Sequence, residues 1–124
     1  MPRRIDPNIG RAAVERAAVL WEAADAPDRE TAATAVRYLL QELGDRAPGR
    51  SVEVRVPPFG AAQCIEGTSH RRGTPPAVIE MDAPTWIALG AGTVTWADAV
   101  NRGQVQASGE RADLSHLLPL VAPE

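Results

Sequence analysis

Few side chains in this chain could carry out a reaction, and their spacing narrows the choice quickly. Cys64 is the only cysteine, and the histidines are His70 and His116. None stands at C-x-x-C or H-x-x-x-H spacing, and three such groups cannot close a zinc site without carboxylates. Cys64 and His70 could pair as nucleophile and base across a strand end; the competing reading is a cysteine that packs as a small apolar residue. Glu80 and Asp82 lie two apart on an expected strand and therefore on one face. That spacing suits an acid–base pair and equally an ordinary strand end on the surface. Gly90-Ala91-Gly92 follows an expected helix rather than a strand and lacks the third glycine of a dinucleotide loop. All thirteen basic residues are arginine, which removes a Schiff-base or general-base lysine from consideration. These residues point to a non-enzymatic chain, with no catalytic residue, metal or cofactor expected.

Binding chemistry is better represented. The polar stretch from Gly67 to Pro76 carries His70, Arg71 and Arg72. The planar donor fork of Arg71 and Arg72 suits a carboxylate or phosphate head group. The same arginines would also serve a plain solvated connection between strands. His116 reads as a partly exposed helix residue.

Composition limits the partners. A length of 124 residues suits one domain, here taken as 1–124. The net charge is −3, and the strongest basic clusters are the pairs Arg3-Arg4 and Arg71-Arg72. Nucleic-acid binding is therefore not expected, because it needs basic side chains clustered against phosphates. Arginine without lysine, together with abundant Ala, Pro and Gly, fits a GC-rich genome such as an actinobacterium's. Met1 to Asp6 is basic but leads into no apolar h-region, so it is not a secretory signal. No run approaches the roughly 20 apolar residues of a membrane span. A cytoplasmic protein without stable membrane insertion is expected.

The elements that must position these groups can be placed by period. Asp6-Pro7 opens a helix to about Ala24, with Ile9, Ala13, Ala17, Leu20 or Trp21, and Ala24 on its apolar side. Asp28 caps a second helix to about Asp45, whose stripe is Ala32, Val36, Leu39, Leu40 and Leu43. Together they make a helical hairpin over 1–47. The period then falls to two: Val52, Val54 and Val56 face inward, while Glu53 and Arg55 face water. Pro57-Pro58 stops that strand. Further strands are expected over 59–66, 77–81 and 104–108, the last with Val105 and Ala107 inward. Asp82-Ala83-Pro84 starts a helix that Gly90 closes. Thr95-x-x-Asp98 is a capping signature for another helix, ending at Gly103. A final helix from about Arg111 carries Leu114, Leu117 and Leu118. The expected class is α+β: a mainly antiparallel sheet of four to five strands with helices packed on one face.

The stretch Asp82-x-x-Thr85-Trp86-x-x-Leu89-x-x-Gly92 is followed by Trp96-x-x-Ala99-Val100-x-x-Gly103-x-Val105-x-Ala107-Ser108-Gly109, then Leu114-x-x-Leu117-Leu118. This succession resembles the C-terminal signature of the sterol carrier protein type 2 family, most closely its small bacterial orthologues, over a core of about 50–120. The first helix has no counterpart in typical members. The resemblance implies an apolar tunnel between sheet and helices, holding a fatty acyl chain, an acyl-CoA or a sterol-like lipid. Trp86, Leu89, Trp96, Val100, Leu117 and Leu118 would roof such a cavity, with Arg71 and Arg72 at the head group. Alternatively, the six apolar residues simply complete a core. The second half also resembles the C-terminal domain of mycothiol-dependent maleylpyruvate isomerase-like proteins. Their metal-binding helices form a separate N-terminal domain, and the residues before the first strand here contain no histidine or cysteine. That chemistry is not expected in this chain. Transfer of a hydrophobic small molecule or lipid is the leading expectation. The alternative is a protein-interaction module on the same fold, such as a homodimer without an open cavity.

Overall fold

Asp6 and Pro7 start the first helix as their chemistry dictates. Proline fixes φ where no N–H partner is needed, and the Asp6 carboxylate accepts from the Asn8 amide at 2.8 Å. In the computed structural model, which describes residues 3–67, 76–109 and 112–121, helix α1 runs Pro7–Glu22 and α2 runs Arg29–Arg46. Strands β1 (Val52–Val56), β2 (Gly60–Cys64) and β3 (Ala77–Met81) follow, then α3 (Ala83–Ala91), α4 (Trp96–Asn101) and β4 (Val105–Ser108). Asp28 occupies the N-cap of α2 in extended conformation, but its side chain makes no capping hydrogen bond.

Among the described residues the sheet has the order β2-β1-β3-β4. Its β1–β2 and β3–β4 pairs are antiparallel, and its central β1–β3 pair is parallel. The α+β class with a four-stranded sheet therefore stands, with a mixed rather than purely antiparallel sheet. Chain direction explains the mixture: β2 returns to the level where β1 begins, as Val52 lies opposite Cys64, and β3 starts at that level, with Ala77 opposite Val52. Val52, Val54, Val56, Cys64, Ile79 and Met81 share the core face and merge with the buried sides of α1, α2 and α3 in one apolar cluster. Arg55, Gln63 and Gln106 lie exposed on the opposite face.

Four details differ from the sequence reading. The buried side of α1 is Gly10, Val14 and Ala17, while Ile9 is 63% exposed and Ala24 is also exposed. Gly10 causes the shift: a Cβ there would lie 2.2 Å from ring carbons of the buried Tyr38. A missing side chain, invisible to hydropathy, thus chooses the face that docks. Gly90 does not close α3 but lies inside it. The helix continues to Ala91 and is terminated by Gly92, which takes the left-handed conformation at φ 81°. On β4, register puts Val105 and Ala107 on the core face, opposite Met81 and Ile79, yet Val105 is only half-buried and Ala107 is exposed. This strand is the edge of the sheet, so the pleat sets the direction of its side chains without supplying cover.

The last helix is reduced to a single 3₁₀ turn, Ser115–Leu117, and the expected start at Arg111 lies outside the described residues. Pro119 accounts for this. It cannot donate a helical hydrogen bond, and it disfavours helical geometry at Leu118 before it. The segment is held instead by tertiary bonds. The Leu120 and Val121 amides donate to the Gly90 carbonyl at 2.9 and 3.0 Å, and Arg46 donates to the Leu120 carbonyl. Leu114 and Leu120 are buried.

Candidate functional site

Helix α3 is the pivot of the helical layer, because both of its sides are occupied. On one side, a Cβ at Gly90 would approach Leu39 Cδ1 of α2 to 2.4 Å, so only glycine permits this spacing. Trp86 is fully buried there, and its Nε1 donates to the Val36 carbonyl of α2 at 3.2 Å. That bond satisfies the polar handle which a buried indole must place. Leu89 is likewise fully buried. Trp86 and Gly90 therefore set α3 against α2.

The other side of α3 faces the C-terminal half of α1, and between them lies a cleft of about 330 Å³. Its apolar wall is formed by Ala18 and Trp21 from α1, Pro84 and Ala88 from α3, and Val94 from the following turn. Its polar positions are Glu22, Asp82, Thr85, Thr93 and Gln104. The volume is near the lower end of the roughly 300–1,000 Å³ typical of ligand pockets. Half-buried Trp21 lines it.

Local chemistry holds this cleft in shape. The Asp82 carboxylate caps α3 by accepting from the Thr85 amide at 2.9 Å. The Thr93 hydroxyl donates to the Ala88 carbonyl at 3.2 Å, closing the C-terminal end of the same helix. Helix α1 ends with Ala24 left-handed at φ 57° and the Asp25 amide on the Leu20 carbonyl at 2.8 Å. This 6→1 closure normally uses glycine.

None of the described residues that the sequence marked as cavity-forming lines this cleft. Trp86 and Leu89 are core residues. Trp96, Leu117 and Leu118 are partly buried against the core. Val100 is 44% exposed on α4. Arg71, Arg72 and His70 lie outside the described residues. The Glu80–Asp82 pair separates by role, since Glu80 sits opposite Arg55 and Gln106 in the sheet while Asp82 caps α3. Cys64 is fully buried, and burial pushes its thiol up to about 11. A nucleophilic cysteine needs the opposite shift.

The fold and its α3 signature agree with a family-level comparison. Residues 28–120 match the model described as bacterial SCP ortholog, where SCP denotes sterol carrier protein. The chain belongs to that family. Lipid binding or transfer is the general property of such proteins. A comparison with curated proteins returned no match. The SCP match begins at α2, so α1 lies outside it, and one wall of the cleft is built by a helix that the match does not include. No helix among the described residues is long and apolar enough to cross a membrane.

The cleft residues Ala18, Glu22, Ala88, Val94 and Gln104 were not singled out from sequence, and Trp21 was placed only on the apolar side of the first helix. Thr85 belongs to the SCP signature, but nothing in a one-dimensional pattern pairs α1 with α3.

Proposed function

We propose that this SCP-family chain is a non-enzymatic cytoplasmic carrier of a hydrophobic ligand, one of the class formed by fatty acyl, acyl-CoA and sterol-like lipids. The α1–α3 cleft carries this reading, because it combines an apolar wall with a polar rim in a member of a lipid-binding family. Its size sets the strength of the grip. Burying about six methylenes yields roughly 5 kcal/mol before ordering costs, which corresponds to weak, rapidly reversible binding. A carrier that must release its cargo needs no more.

The test is a fluorescence titration with 1-octanol in wild-type protein and in Trp21→Phe and Ala88→Phe. Wild type should give a saturable change that Trp21→Phe abolishes, because neither Trp86 nor Trp96 lines the cleft. Ala88→Phe fills the cleft and should weaken binding by about tenfold or more, equivalent to about 1.4 kcal/mol. A flat wild-type response up to the solubility limit of octanol, in protein that still melts cooperatively, would reject the reading.

A second reading is favoured by one observation: Ile9 and Val19 on the outer side of α1 are 63% and 62% exposed. It holds that the chain is an interaction module whose partner is a second copy of itself.

A further inference from the structure

We infer that the α1–α3 cleft selects against anionic head groups, so that its cargo is an uncharged member of that class, such as a sterol-like lipid or an acyl ester, rather than a free fatty acid or an acyl-CoA. This rests on the carrier reading and narrows the ligand class of the same site.

The inference follows from the charges that face the cleft. Among the described residues, Glu22 and Asp82 line it and no arginine does. Among the described residues, neither carboxylate takes part in an ion pair; those found are Arg4–Asp45, Arg46–Glu42 and Arg55–Glu53. Two helix ends also contribute. The C-terminal residues Trp21 and Glu22 of α1 bring the negative end of its dipole to the cleft, and the start of α3 brings a positive end. These partial charges oppose each other and leave the two carboxylates in excess.

Among the described residues the N-terminus of α3 is a feature that would attract an anion, and two of its amides are already committed. Pro84 has no N–H, the Thr85 amide is bonded to the Asp82 carboxylate, and the Trp86 amide is bonded to the Asp82 carbonyl. The chain's own carboxylate thus fills the position that a ligand carboxylate or phosphate would seek. Gln104 at the rim offers an amide donor and acceptor, which suits a hydroxyl, ester or amide head. The Thr93 hydroxyl is committed to the Ala88 carbonyl.

Octylammonium, 1-octanol and octanoate share one tail and differ in head charge, so they isolate this effect at neutral pH. Each rim carboxylate within about 7 Å of the head changes affinity by roughly threefold in high dielectric, or roughly tenfold for the two together. The expected order is octylammonium tightest, octanol about tenfold weaker and octanoate weakest, with the spread collapsing in concentrated salt. The double variant Glu22→Gln with Asp82→Asn should bring the three affinities together while retaining octanol binding. Asparagine caps a helix about as well as aspartate, so α3 should remain intact, which a thermal melt verifies.

Octanoate binding as tightly as octanol in wild type would overturn the selectivity and leave the carrier reading standing. So would a spread unchanged in the double variant. Failure of all three probes to perturb Trp21 would remove the carrier reading and, with it, the inference.

Discussion

Cys64 sits on β2, an edge strand, in a chain without lysine, where an exposed thiol would be the strongest nucleophile available. Burial turns it into a packing group. Its thiol is pushed up from an ordinary value of 9.0 to about 11, with desolvation as the cause, so almost no thiolate exists at neutral pH. Native protein should therefore resist a disulfide reagent such as dithionitrobenzoate and react stoichiometrically only once denatured. Rapid labelling of native protein would show that β2 opens without global unfolding. The same shift makes stability depend on pH. The folded state favours the neutral thiol, so its contribution is intact below pH 9 and lost as pH rises from about 9 to 11, because only the unfolded chain then releases the proton. The loss is of the order of 2 kcal/mol. Tyr38 adds in the same direction, since burial, followed by the nearby Glu42 carboxylate, raises its hydroxyl too. Cys64→Ala should flatten the Cys64 part of the alkaline slope in denaturant melts and leave the Tyr38 part.

Helix docking turns on small residues, and two glycines in neighbouring helices make the point quantitatively. Gly10 of α1 abuts the buried Tyr38 ring with no room for a methyl group, whereas the nearest atom to a Cβ on Gly44 of α2 is the Gln63 carbonyl oxygen at 3.9 Å. Alanine gains about 1 kcal/mol of helix propensity at either position. At Gly44 that gain is realised, and Gly44→Ala should stabilise the chain by roughly 0.5–1 kcal/mol. At Gly10 it is outweighed by overpacking, typically about 1–3 kcal/mol, and Gly10→Ala should destabilise by about 1–2 kcal/mol in urea unfolding. Equal signs for the two variants would mean that α1 does not sit on Tyr38. Three element boundaries were legible because they rest on local chemistry: Asp6-Pro7, Pro57-Pro58 and Thr95-x-x-Asp98 act within a few residues of themselves. The docking face of α1 was not legible, because Gly10 carries no hydropathy and Ile9 carries a good deal. The parallel β1–β3 pair was hidden for a related reason, as alternation along Val52–Val56 reports which way side chains point and not which way the neighbouring strand runs. The cleft escaped notice because its walls come from elements more than sixty residues apart, Trp21 and Ala88.

At the scale of the whole molecule, the side of α1 turned away from the core remains to be accounted for. Ala12, Glu15, Arg16, Val19 and Leu20 line a shallow groove along it, with Ile9 exposed one turn earlier. The interaction-module reading predicts that this surface pairs with itself. If two copies of α1 cross antiparallel about a two-fold axis between residues 15 and 16, Glu15 of each faces Arg16 of the other and Ala12 faces Val19, every contact occurring twice as isologous symmetry requires. A contact through one short helix falls below the roughly 1,200 Å² of a stable interface, so the dimer should be weak and concentration-dependent. Size-exclusion chromatography with light scattering, run over a concentration series, should show the mass rising from monomer towards dimer. Val19→Glu should hold the protein at monomer mass throughout, because it sets a carboxylate against Ala12 and close to Glu15 of the other copy. Exchanging the charges within each chain, Glu15→Arg with Arg16→Glu, preserves the reciprocal pairs and should retain the dimer. Wild type that stays monomeric at every concentration would dispose of the self-pairing surface without touching the cleft, which is lined by other residues of the same helix. The two functions assigned to α1 can therefore fail independently, and octanol titration of the Val19→Glu monomer would show directly whether the cleft works without the partner.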